Sequence, residues 1–310
     1  MDLLKRGNND HCTKATCSID DSIYHYLPSL ASNSAFIAIF AITAIVHLIQ
    51  GIRYRTWTFC IAMVLGTVGE AVGEGGRIML YFNPFSDPGF KLQIVLLTLS
   101  PAALAAGIYL TLKHIVITFG TSFSRIKPNW YTYIFIACDI FSILLQGGGG
   151  AVAATAHDGD KEMLDIGNNL MIAGLAFQVF TLLIFGILAG EYFWRVRGHK
   201  GTLNEATAKL RASRRFRCFL GAVAVAYVTI FIRCVYRVAE MSGGWGNPIM
   251  RNETAFTILD SLMCSLAAIA LNVFHPGKCF QGAMTGRTKV DADSESATDL
   301  KGPAESVEMR

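Results

Sequence analysis

Apolar residues in this chain fall into seven blocks separated by polar connections. They run from Asn33 to Gln50, about Thr58 to Phe82, Leu92 to Val116, Tyr131 to Ala154, Gly167 to Trp194, Phe216 to Met241 and Thr254 to His275. A helix needs about 20 apolar residues to cross the hydrocarbon of a bilayer. A helix also satisfies its own backbone hydrogen bonds there, which an open strand cannot. The pattern therefore predicts an all-α membrane protein, a bundle of seven transmembrane helices called spans one to seven below. Spans two and six are the least apolar. In span three the small-residue run PAALAAG that begins at Pro101 suits close helix packing. The four glycines Gly147 to Gly150 of span four predict either close backbone packing or a local break in the helix.

Composition agrees with the pattern. Only 16% of the 310 residues are charged, against about 25% in soluble domains, and mean hydropathy is +0.41. An ordinary soluble enzyme is excluded. Nucleotide loops of the GxxxxGK[ST] or strand-linked GxGxxG type are absent, so an ATP-driven pump has no support. The eight cysteines form no CxxC pair, which removes a zinc ribbon and argues against a disulfide framework. Cys12 and Cys17, in the polar opening segment, are open to two readings: a disulfide across a short loop, or free thiols.

Basic residues set the expected orientation. Loop one holds Arg53 and Arg55, and loop three holds Arg125 and Lys127. Loop five holds Arg195, Arg197, Lys200, Lys209, Arg211, Arg214, Arg215 and Arg217, while the alternate loops are poor in Lys and Arg. Cytosolic loops carry the Lys/Arg excess, so the N-terminus is expected outside and the C-terminus inside. Three regions follow: an extracellular segment 1–31, a transmembrane domain 32–277 and a disordered, acidic and serine-rich cytosolic tail 278–310. The sequon Asn252-Glu253-Thr254 falls on the outer side.

The chemistry sits inside the spans. A charge there costs about 2.5–3.5 kcal/mol on insertion scales unless it finds a partner or a wet cavity. Span two carries Glu70, Glu74 and Arg77, and span six carries Arg233, Arg237 and Glu240. Spacings of four and three place each trio on one helical face. One face is acid-acid-base and the other base-base-acid, so facing each other they would nearly neutralise. At 1.5 Å per residue Glu70 lies roughly 18 Å along its span, Arg233 roughly 25 Å and Asp260 roughly 9 Å from the outer side. With Gln146 of span four, these groups gather in the outer half, while Asp139 of span four and Gln178 of span five lie nearer the middle. Interhelical bridges alone would be the plain reading of any one of them. Taken together they predict an outward-opening site for a polar head-group, with carboxylates for an ammonium and arginines for an anionic or hydroxylated group. No catalytic set and no metal site is expected, since His47 and His275 have no evident third ligand. Span seven has no lysine, which excludes a retinal Schiff base.

An ordered set of motifs carries a family resemblance. It comprises Tyr26-Leu27-Pro28-Ser29, His47 with Gln50, Glu70-x-x-Gly73-x-x-x-Arg77, Asn83-Pro84-Phe85, Ser100-Pro101-Ala102 and Tyr109. It continues with Asp139-x-x-Ser142-x-x-x-Gln146, Gly174-x-x-x-Gln178, Arg233-x-x-Tyr236-Arg237-x-x-Glu240, Glu253, Asp260 and His275-Pro276-Gly277. Over roughly Tyr24 to Gly277 the chain resembles the fungal RTA-like family, the lipid-translocating exporters. The resemblance implies a multi-pass plasma-membrane protein associated with resistance to toxic amphiphiles or release of sphingoid long-chain bases. In some members it implies porphyrin or haem as a ligand. It carries over Glu70, Arg77, Asp139, Gln146, Gln178, Arg233, Arg237, Glu240 and Asp260 as the family's polar positions. Glu74 departs from the pattern, standing where an aromatic is usual, and Phe256 stands where a tyrosine is common.

The resulting expectation is a transporter or translocator for a membrane lipid or amphiphilic small molecule, without a resident cofactor and without a nucleic-acid partner. A lipid receptor is the second reading, although Asp/Glu-Arg-Tyr after span three and Asn-Pro-x-x-Tyr in span seven are absent. An intramembrane lipid-modifying enzyme is the third. The sequence leaves homodimer formation open.

Overall fold

A computed structural model describes residues 12, 14, 16–22, 24–119, 128–155, 161–198, 208–244 and 247–279. Expectations for Arg125, Lys127, Lys200 and nearly all of the 278–310 tail lie outside these residues. Seven helices long and apolar enough to cross a membrane are present: Leu30–Tyr54, Trp57–Phe82, Asp87–Phe119, Trp130–Ala153, Lys161–Gly198, Arg214–Ser242 and Glu253–Cys279. Several extend beyond their apolar blocks, because a helix continues into polar flanks until a cap or breaker stops it. Ser29, Ser213 and Asn252 each accept a backbone N–H with their side chains at the start of spans one, six and seven. Arg55 takes a left-handed conformation with φ 54° and turns span one directly into span two.

Packing closes the spans into a ring in chain order, with spans one and seven in contact, while span three also touches span six across the middle. Spans two and six are not among the extensively packed pairs. Spans three and seven each pack against both, and charges of spans two and six still come within electrostatic reach of each other, Glu70 of Arg233 and Arg77 of Glu240. Large apolar side chains such as Ile42, Ile45, Leu144, Phe180 and Ile187 are more than half exposed on the outside of the bundle, as a lipid-facing surface requires.

Small residues set the spacing. A side chain at Gly149 would stand 2.6 Å from the carbonyl oxygen of Gly167, and one at Gly76 would stand 2.8 Å from the Gly89 oxygen and the Gln93 nitrogen. Within the glycine run of span four, Gly149 therefore serves close packing on span five, in an unbroken helix. Cys12 and Cys17 form a disulfide. The segment between them and span one folds over one end of the bundle, where buried Tyr24 packs with Leu80, Phe90 and Met241.

Gly76→Leu should destabilise the bundle by about 1–3 kcal/mol, the usual cost of overpacking. Gly75, with nothing within 4 Å of an added Cβ, should tolerate Ala and gain up to about 1 kcal/mol from helix propensity. Thermal unfolding of the two variants in one detergent checks the contrast.

Candidate functional site

All ten predicted site residues are buried, none more than 4% exposed. They fall into a charged column between spans one, two, three, six and seven, and a neutral amide pair between spans four and five.

At the deepest level of the column, Arg233 Nε lies 2.8 Å from Asp260 Oδ1. The N–H is not aimed at that oxygen, so the attraction is coulombic. The same guanidinium donates to the Leu97 carbonyl of span three through Nη2. Glu70 is within electrostatic reach of both Arg233 and Asp260 and faces the Cys264 thiol, yet neither of its oxygens has an aligned hydrogen-bond partner. Asp260 reaches this level because residues Thr257–Leu262 form a widened π-type turn. Such turns recur at functional sites.

One turn nearer the capped end, Ser261 Oγ donates to Glu74 Oε1 at 2.5 Å. Arg77 follows, donating through Nη2 to the Tyr26 hydroxyl at 3.0 Å and through Nε to Asn33 Oδ1 at 3.3 Å. Its guanidinium carbon also stands 3.8 Å from the centre of the Phe256 ring, a cation–π contact. Arg237 pairs with Glu240 of its own helix, and Asn247 donates to the Glu240 carbonyl oxygen at 2.5 Å. Tyr24 accepts from Gln93 Nε2 at 2.5 Å. Burial pushes the Tyr24 and Tyr26 phenols up, while the charge of Arg77 pulls the other way. Above them the Ser29 amide donates to Glu253 at 2.5 Å.

The remaining predicted residues stand apart from this column. Gln146 Nε2 donates to Ser142 Oγ at 2.6 Å and to Gln178 Oε1 at 3.3 Å, and Ser142 Oγ donates to the Gly174 carbonyl at 2.8 Å. This network joins spans four and five. Asp139 is 4% exposed and faces the Tyr109 hydroxyl, with no aligned hydrogen bond to either oxygen. Tyr109 of span three and Cys234 of span six are within its electrostatic reach, which places it between the two groups. Sequence reasoning used Tyr26, Tyr109 and Tyr236 only as motif letters, and it missed Asn33, Gln93, Ser261 and Cys264. Hydroxyl and amide residues are common in any span, so only their position opposite a charge reveals their role.

Four carboxyls of the column (Glu70, Glu74, Glu240 and Asp260) face three guanidiniums (Arg77, Arg233 and Arg237), all buried. Each guanidinium has at least one carboxylate, hydroxyl, carbonyl or ring partner. Nη1 of Arg77, Nε and Nη1 of Arg233 and Nε of Arg237 nevertheless lack aligned hydrogen bonds, as do both oxygens of Glu70 and of Asp260 and one of Glu74. Buried polar atoms left in that condition cost about 1–3 kcal/mol each. The arrangement fits one more positive hydrogen-bond donor. At the other end of the bundle His47 and His275 approach to 6.4 Å between ring centres, within an aromatic cluster that includes Phe59 and Tyr54. His47 Nε2 lies 3.2 Å from the Ala268 carbonyl.

Asp260→Ala strands Arg233 and should cost about 3–5 kcal/mol of stability, while replacing both partners with apolar residues of similar size should recover much of that loss. Denaturation of the single and double variants in detergent measures the difference.

The family model described as "RTA1 like protein" matches residues 63–283. The sphingoid long-chain base transporter RSB1 of Saccharomyces cerevisiae (strain ATCC 204508 / S288c) is 32% identical over 286 residues, covering 84% of this chain and 74% of the relative. A protein of Emericella nidulans named "Probable lipid transporter atnI" is 25% identical over 269 residues, covering 84% and 69%. Protoporphyrin uptake protein 1 of Saccharomyces cerevisiae is 25% identical over 289 residues, covering 81% and 91%. No solved structure matches. The matched span includes every charge of the column, from Glu70 to Asp260, and the chain belongs to the RTA1-like family of multi-pass membrane proteins.

Proposed function

We propose that this protein binds an amphiphile with a cationic amine head and an aliphatic body, a sphingoid long-chain base or a cationic sterol-like toxin, and translocates it in the plasma membrane. Resistance of the cell to that amphiphile is the outcome. The observation that carries the reading is the charged column, in which four buried carboxyls stand against three guanidiniums and the Glu70 oxygens lack an aligned hydrogen bond, with only the Cys264 thiol facing them. A protonated amine supplies the missing charge and up to three N–H donors. Glu70, Glu74 and Asp260 receive it, while Arg77, Arg233, Arg237 and Glu240 hold the surrounding field in balance. The amide pair Gln146–Gln178 and the carboxyl of Asp139 provide further polar contacts toward the middle of the bundle. The names of two relatives, a sphingoid base transporter and a lipid transporter, support the same class of substrate.

The orientation that fits this reading has the N-terminus outside. Its support is the Lys/Arg excess of loop five, together with a disulfide in the N-terminal segment, since disulfides persist in oxidising surroundings. The column then lies in the outer half of the membrane. Porphyrin is the weaker substrate, although one relative bears its name. Its carboxylates would need free guanidiniums, and all three of the column are already engaged.

Binding of a labelled long-chain base to the purified protein should weaken about tenfold, or 1.4 kcal/mol, in Glu70→Gln or Glu74→Gln. An N-acylated base, whose nitrogen is neutral, should compete poorly. Equal competition by the charged and the acylated base would count against an amine site.

A further inference from the structure

An open groove of about 510 Å³ runs along the outside of the bundle between spans six and seven. Ile232, Val235, Tyr236 and Ala239 form one wall, Ala255 with Leu259 forms the other, and Pro248, Ile249 and the polar Asn252 of the connection line its end. From Ile232 to Ala239 it extends about 10 Å at 1.5 Å per residue, about a third of the hydrocarbon thickness. The walls are the helical neighbours of the buried ion pairs. Tyr236 stands beside Arg237, and Leu259 stands beside Asp260.

Tyr236 joins the groove to the column. The residue is 94% buried, by its 6% exposure, and its hydroxyl has no hydrogen-bond partner. Glu240, Asp260 and Arg237 are within its electrostatic reach. It packs with Leu97 and Phe256, the latter being the ring that stacks on Arg77. The opposite wall is built on the π-type turn of span seven, where the usual helical ladder is interrupted beside Asp260.

We infer that this groove is the lateral binding site for the aliphatic chain of the amphiphile, with the Tyr236 hydroxyl as the first polar contact of its head. The inference rests on the proposed amine site and adds the route by which a lipid reaches it from the membrane. A single chain fits the groove because the walls are apolar and open sideways to lipid, while the polar end lies one side chain away from carboxyls in need of a cation. The chain stays in hydrocarbon throughout, so the tail pays no cost of entering water and only the head exchanges its surroundings. Passage of the head requires Tyr236 to yield, which makes this side chain a positioning residue at the threshold.

The test uses the full chain in nanodiscs with a long-chain base that carries a photoactivatable diazirine in mid-chain. Cross-linked peptides are mapped with and without excess unlabelled base. The expected result is saturable labelling of residues 232–239 and 255–259. Filling the groove with Ala239→Trp should reduce that labelling about tenfold; Val235→Trp, at a position 43% exposed to the lipid side, serves if the first variant folds poorly. Tyr236→Phe should retain groove labelling but weaken competition by the free base. Saturable labelling confined to another surface, such as the cleft lined by Trp57 and His114, would overturn the groove and leave the amine site standing. Absence of any saturable labelling would overturn both.

Discussion

A charge inside a membrane must be neutralised where it stands, and this constraint orders the structure. Five spans contribute to one column of acids, bases and hydroxyl partners, and none of its charged groups is open to solvent. Spans four and five, by contrast, meet through glycines and amides. Glycines also set the close approach of spans two and three, so tight packing runs through both parts of the bundle while the ion pairs gather in one.

Span seven does most of the matching. Its π-type turn brings Asp260 to Arg233 and Ser261 to Glu74 within a single stretch. A regular helix would keep consecutive residues 100° apart and leave the same two partners harder to serve together. Span three supplies a backbone carbonyl to Arg233 from Leu97, and the N-terminal segment supplies Tyr26 to Arg77. Every guanidinium therefore has a carboxylate, carbonyl or hydroxyl partner, whereas Glu70 is faced only by the Cys264 thiol. That asymmetry favours a cation as the ligand and disfavours an anion.

The seven helices were legible in the sequence because each is an apolar block of membrane-crossing length, a signal that depends on local composition alone. The helical faces of Glu70, Glu74 and Arg77, and of Arg233, Arg237 and Glu240, were legible for a similar reason: spacing within one helix fixes direction. Which helix lies opposite was not legible. Spans two and six have complementary charges within reach of each other, but Arg233 takes its ion pair from Asp260 of span seven and Glu240 found its partner three residues away on its own helix. The π-type turn was also hidden, since no residue type in Thr257–Leu262 dictates it. Gln146 and Gln178 lie on helices long and apolar enough to cross a membrane, yet their shared network with Ser142 separates them from the charged column.

The central claim is that four buried carboxyls face three guanidiniums in the column, and that the ligand supplies a further cation to them. The most direct measurement is the chemical identity of the lipid retained by the purified full-length protein, determined by mass spectrometry alongside a Glu70→Gln/Glu74→Gln double variant. The account predicts enrichment of a single-chain lipid bearing a free amine, lost in the double variant. Retention of neutral or anionic lipids alone, unchanged by removing both carboxylates, would contradict it.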